Sequence, residues 1–195
     1  MIKFLFAILI LLMFQSCAPL IGAAGIAYLS SASKEKGIGI SLSDALIHSK
    51  ISNKIFKFNS DIIANTRVFV NNGSVLITGK VTIPDDKIEL TKIVWEVKGV
   101  KEVNNETQVS DVSSIKNIAR DIASIGEIRA RILTDKRINS LNFSIDVIND
   151  KAYIVGIAES KEEMKLVKDQ ASSARFVKEV FNYIIVTDDK RWNKN

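Results

Sequence analysis

Residues 77 positions apart in this chain match one another without a gap, and that repeat limits what it can fold into more than any other feature. Gly79 returns as Gly156, Val68 as Ile145, Val70 as Val147, Leu90 as Val167 and Val97 as Ala174. The tripeptide Lys101-Glu102-Val103 returns as Lys178-Glu179-Val180, and Val109 as Val186. A gapless register of this length describes two copies of one folding unit rather than a single larger core. The copies span 41–112 and 113–187.

Each copy carries the same run of elements. In the first, Ser41-Leu42-Ser43-Asp44 reads as a capping box, and Ala45, His48, Ile51 and Ile55 are spaced to form one buried helix face ending near Phe58. In the second, Ile115, Ile118, Ala119, Ile122, Ile125, Ile128 and Ile132 recur at three- and four-residue steps, predicting a longer amphipathic helix to about Leu133. Alternation at Leu141, Phe143, Ile145 and Val147 predicts a half-buried strand. Asn72-Gly73 and Asn149-Asp150 supply the left-handed dihedrals of two-residue hairpins, with SVLITGKV and AYIVGIA as the return strands. Gly79 and Gly156 inside those strands predict close packing of the second helix over them. That helix starts at Pro84 in the first copy, with Asp85 and Asp86 in its first turn, and at the capping box Ser160-Lys161-Glu162-Glu163 in the second. A last strand closes each copy. The fold class is therefore α+β: two tandem α-β-β-α-β domains, each a three-stranded mixed sheet with two helices on one face.

Ahead of the repeats, residues 2–14 form an apolar run with one charge, Lys3. This is too short to span a bilayer, which needs about 20 residues, and matches a signal-peptide core. It ends at Ser16-Cys17, a junction that resembles a bacterial lipoprotein lipobox. Residues 1–16 are then a signal peptide, Cys17 is lipidated through its sulfur, and 17–40 form a tether. Phe14 departs from the usual aliphatic residue of that motif. The competing reading is a signal anchor that continues through Ala18–Ser33. Lipoproteins kept in the inner membrane often carry Asp after the cysteine, so Ala18 directs the chain to the outer membrane.

The segment from Gly73 to Gly79, the following helix, and Val97-Lys98-Gly99-Val100-Lys101-Glu102-Val103-Asn104-Asn105 resemble the BON domain of osmotically induced and nodulation-associated bacterial proteins. The second copy is more divergent, with Asp150, Ala152 and Phe176 at three of the motif positions. Two such domains behind a lipoprotein signal resemble the division- and outer-membrane-stress-associated lipid-binding lipoproteins. That resemblance implies a periplasmic protein anchored in the outer membrane, which binds anionic phospholipid through its second domain and supports envelope integrity. Contact with the outer-membrane protein assembly machinery is a further implication.

The chemistry carried by the chain suits this class. Its single Cys is assigned to lipid and its single His, His48, has no fixed partner, so no nucleophilic, metal or cofactor site is expected. Adjacent carboxylates at Asp85-Asp86 and Glu162-Glu163 sit where helix starts favour negative charge. Of the net +5, none falls on the first copy, which has nine basic and nine acidic residues, whereas the second has twelve and ten. The second copy is accordingly the expected lipid contact, with Lys165, Lys168 and Arg175 beside Lys161 on one helix face and Met164 and Phe176 nearby. Ile88 and Trp95 fall off the Leu90-Val94-Val97 stripe and are assigned to contact between the domains or with a partner. The basic tail 188–195 holds Trp192. The rival function is a protein-interaction adaptor for outer-membrane assembly that does not touch lipid. Export and modest charge argue against nucleic acid.

Overall fold

The computed structural model describes residues 42–110 and 115–187. The expected signal peptide, Cys17, the expected tether, Ser41 and the tail with Trp192 lie outside them. The first copy runs α1 (Leu42–Phe58), α2 (Ser60–Asn65), β1 (Thr66–Asn71), β2 (Ser74–Val81), α3 (Pro84–Trp95), β3 (Glu102–Asn105) and β4 (Gln108–Val109). The second runs α4 (Ile115–Thr134), a 3₁₀ turn (Ser140–Asn142), β5 (Phe143–Ile148), β6 (Lys151–Ala158), α5 (Lys161–Ser172) and β7 (Glu179–Val186).

Both sheets are mixed, with the hairpin's return strand in the centre. β2 pairs antiparallel with β1 and parallel with β3 and β4, and β6 pairs antiparallel with β5 and parallel with β7. The first copy's closing strand is broken at Glu106-Thr107. There the Asn105 side chain accepts from the Thr107 amide, a group a continuous ladder would pair, and from the Thr107 hydroxyl, and it donates to the Lys87 carbonyl of α3. The hairpins are as expected: Asn72, Gly73, Asn149 and Asp150 all have positive φ, between 49° and 78°.

One side of each sheet is covered by its own helices. Ile47, Ile51, Ile55, Val75, Ile77, Leu90 and Val94 form the first core, and Ile128, Ile132, Ile145, Ala152, Ile154, Val167 and Ala171 the second. Three local expectations are corrected. The buried face of α1 is Asp44, Ile47, Ile51 and Ile55, so Ala45 and His48 are exposed. On α4, Ala119, Ile118 and Ile122 are exposed, because the core is reached only from Ile125 onward. The space above the strand glycines is taken by the chain entering the sheet, not by the second helix. A Cβ on Gly79 would overlap the Asn65 carbonyl oxygen, and one on Gly156 the Asn142 carbonyl oxygen.

Candidate functional site

The helix-free faces of the two sheets meet. Leu76 and Phe69 of the first copy pack with Ile148, Tyr153, Val155, Phe181 and Tyr183 of the second, burying a third apolar cluster between the copies. The pattern follows from strand alternation: β2 sends Val75 and Ile77 to its helices and Leu76 and Thr78 to the partner sheet. β6 does the same, and AYIVGIA is apolar on both faces because both are covered. The two copies thus form four layers: helices, sheet, sheet, helices.

Polar groups set the register of this contact. Asp146 is 1% exposed and accepts from Thr78 Oγ1 and Arg67 Nη1, each at 2.5 Å. Burial pushes its carboxyl above the ordinary aspartate range, and the Thr78 hydroxyl and the Arg67 charge oppose that rise only in part. Lys80 Nζ donates to Asn149 Oδ1 at 2.7 Å, and burial holds its ammonium below the usual lysine range. Asn149 donates in turn to Gln108 Oε1. Tyr183 Oη donates to Glu106 Oε1 at 2.6 Å, and burial together with that carboxylate raises the phenol. Glu106 and Tyr183 occupy equivalent positions of the two copies.

A second duplicated device went unread in the sequence. The Asp44 carboxylate accepts from the amides of Asn72 and Gly73, and Asp121, 77 residues on, accepts from those of Asn149 and Asp150. Each helix therefore caps its hairpin with a buried carboxylate. The repeat was the signal, since Asp44 and Asp121 share its register. Beside Asp121 lies a groove of about 380 Å³ between the copies, lined by Asn65, Arg67 and Lys80 on one side and Ile118, Ile122 and Ile125 on the other.

The side chains expected to meet lipid are not gathered into one patch. Lys161, Lys165 and Lys168 are exposed along α5, but Lys165 pairs with Asp169 at 2.9 Å. Met164 packs against the second core. Arg175 lies past the end of α5, where its amide donates to Glu127, so it does not continue the helix row. Phe176 sits under the Arg120 guanidinium, 5.0 Å from the ring centroid, with the Arg175 guanidinium at 5.9 Å. Arg120 also pairs with Asp150 at 3.0 Å, as Lys178 does at 2.9 Å. Ile88 and Trp95 stand exposed on α3, away from the sheets that join the copies, which corrects their assignment to interdomain contact.

Comparison with known proteins agrees with this architecture. The family model "BON domain" matches residues 43–111 and again 125–188. An uncharacterized protein in the gshII 5' region of Anaplasma centrale is 33% identical over 150 residues, covering 76% of this chain and 98% of that one. The outer membrane lipoprotein DolP of Haemophilus influenzae is 25% identical over 174 residues, covering 87% and 90%. Osmotically-inducible protein Y of Escherichia coli K12 is 26% identical over 149 residues, covering 74% and 73%. With two matched segments, each built on an α-β-β-α-β order to which the first adds α2 and β4, the chain belongs to the BON-domain family and carries two BON domains in tandem.

Proposed function

We propose that this protein is a non-enzymatic lipoprotein of the outer membrane, facing the periplasm, which binds anionic phospholipid and supports envelope integrity. The observation that carries this reading is the four-layer arrangement. Since each sheet covers the other, both outer surfaces are helical, and on them Lys50, Lys57, Lys161 and Lys168 are exposed and form no ion pair with another described residue. Uncompensated ammonium groups on exposed helices suit a negatively charged bilayer, each contributing about 1 kcal/mol close to the surface. Similarity to an outer membrane lipoprotein and the Cys17 junction support the location. Once an acylated Cys17 holds the chain at the membrane, weak contacts act at high effective concentration, so a strong isolated site is not required.

Co-sedimentation with vesicles tests the reading. Residues 37–195 form one compact unit, so a protein of residues 18–195 retains it while losing the anchor. It is expected to sediment with phosphatidylglycerol or cardiolipin vesicles and not with phosphatidylcholine alone. Absence of binding to any vesicle would remove direct lipid recognition and leave the adaptor function, for which a protein partner captured without lipid is the evidence.

A further inference from the structure

We infer that the outer helical layer of the first copy, α1 with α3, is the face that lies on the anionic bilayer. The inference rests on the lipid-binding reading above and assigns it a surface. Four side chains bury the inner face of α1, Asp44, Ile47, Ile51 and Ile55. At 100° per residue, the opposite pole holds Leu42, Leu46 and Phe56, with Lys50 and Lys57 along its flank. The three apolar side chains are exposed, Leu46 by 53% and Phe56 by 60%. In α3 the buried residues are Leu90, Ile93 and Val94, and the outward pole carries Ile88 and Trp95, the latter 52% exposed. Two neighbouring helices of one layer thus present five large apolar side chains to the outside.

On α1 charge says what covers this layer, whereas α3 sets Asp85, Asp86 and Glu89 against Lys87 and Lys92 and adds only its apolar pole. The only carboxylate on α1 is Asp44, which is buried and bound to the hairpin amides, so the exposed part of this helix carries only positive charge, from Lys50, Lys54 and Lys57. Beside it a shallow concavity is lined by Lys50, Lys54 and Lys98 with Ser49 and Asn53; its one acid, Glu96, is held by Lys54 at 2.7 Å. Apolar side chains next to lysines and small hydroxyl and amide groups match acyl chains next to phosphate headgroups. A protein partner would be expected to meet these lysines with carboxylates of its own, whereas a bilayer needs only headgroup charge. Chain order agrees, because α1 is the first described element after Cys17 in the sequence. In the opposite outer layer α5 exposes no large apolar side chain among the described residues, and of those exposed on α4 Ile118 and Ile122 line the groove between the copies while Leu133 stands alone near the helix end; one flat bilayer cannot hold both layers.

The test uses residues 18–195, which contain no cysteine, with single substitutions Leu46→Cys, Phe56→Cys or Lys165→Cys labelled with an environment-sensitive fluorophore. Vesicles of phosphatidylglycerol with phosphatidylcholine are compared with phosphatidylcholine alone, and sedimentation of the unlabelled protein is measured in parallel. Expected is a blue shift at positions 46 and 56 on anionic vesicles and none at 165. The pair Lys50→Glu, Lys57→Glu is expected to lower the partition coefficient about tenfold or more, while Lys165→Glu, Lys168→Glu leaves it within about twofold. Urea unfolding of each variant shows that it folds. A shift at 165 alone, or sedimentation without any shift at 46 and 56, overturns the inference while the lipid-binding reading stands. Failure of the unsubstituted protein to sediment overturns both.

Discussion

At the scale of single residues, two glycines of the same type have opposite roles. Gly79 has φ +115°, and a Cβ there would overlap the Asn65 carbonyl oxygen and lie 2.7 Å from Thr66 Cα. Gly79→Ala is therefore expected to lower stability by about 2–4 kcal/mol. Gly126 lies within α4 with nothing close to the position its Cβ would take, so Gly126→Ala should raise stability by about 0.5–1 kcal/mol. Urea denaturation of both variants checks the contrast. The sequence located Gly79 and Gly156 correctly inside their strands but not what crowds them, because a neighbour that belongs to the turn into the paired strand leaves no pattern of its own. Asp44 was hidden for a related reason. Apolar spacing finds core positions by counting apolar residues, and here a carboxylate occupies one, satisfied by two hairpin amides. Placing Ala45 and His48 on that face followed directly from skipping it.

Elements were largely legible, because helix and strand periods hold throughout both copies, and the exceptions are local. α2 is a single short turn of helix whose Asn59 cap accepts from Asp61, and six residues cannot display a period. The start of α5 shows one half of the capping box, with Ser160 Oγ accepting from the Glu163 amide at 3.1 Å. Glu163 does more than cap. Its buried carboxylate accepts from the Glu159 amide at 2.7 Å and from the Asn139 amide at 2.8 Å, tying α5 to the loop that enters β5. Ser160→Ala should cost about 1 kcal/mol, as cap losses do. Glu163→Ala should cost about 2–3 kcal/mol, since it strands two amides that a charged acceptor satisfies. Equal losses in thermal unfolding would show that the second tie is worthless. The basic row on α5 is shorter than its spacing implies: extrapolating the helix period to Arg175 ignores the end of the helix at Ser172.

For the whole molecule, the contact between copies was legible in one respect and missed in another. Trp95 and Ile88 stood out because they break a helical stripe, yet the joining surface was written in β6, whose run from Ala152 to Ala158 is apolar on both faces. Asp146 at that contact has a consequence for pH. Its carboxyl is raised by burial, so the folded chain holds this proton at pH values where the unfolded chain, near its ordinary value of ~3.9, has released it. The stability it contributes is complete below about pH 4 and is lost as pH rises through the folded value. Glu96, Glu127 and Asp135 act in the opposite sense: their carboxyls are held low by the Lys54 ammonium, the Arg175 amide and the Arg137 guanidinium respectively, so their contribution is lost on acidification. Subtracting the stability curve of Asp146→Asn from that of the wild type isolates the first effect. The difference should fall as pH is raised from 4 to 7, and a flat or rising difference would show that the Asp146 carboxylate is stabilised where it lies.

The pair Tyr183–Glu106 reaches further back. Here two equivalent positions touch each other, β1 lies against β6 and β2 against β5, which is the contact pattern of a twofold homodimer made within one chain. In a true homodimer a residue on the axis must meet itself, as tyrosine on tyrosine or glutamate on glutamate. Joining the two halves covalently released that restriction, and the halves have since become unlike: Asp146 answers to Phe69, and Thr78 to Val155. The two halves are no longer interchangeable at their contact. A first copy that paired with its twin would set Glu106 against Glu106 and leave Arg67 and Thr78 facing phenylalanine, so each half is shaped for the other and not for itself.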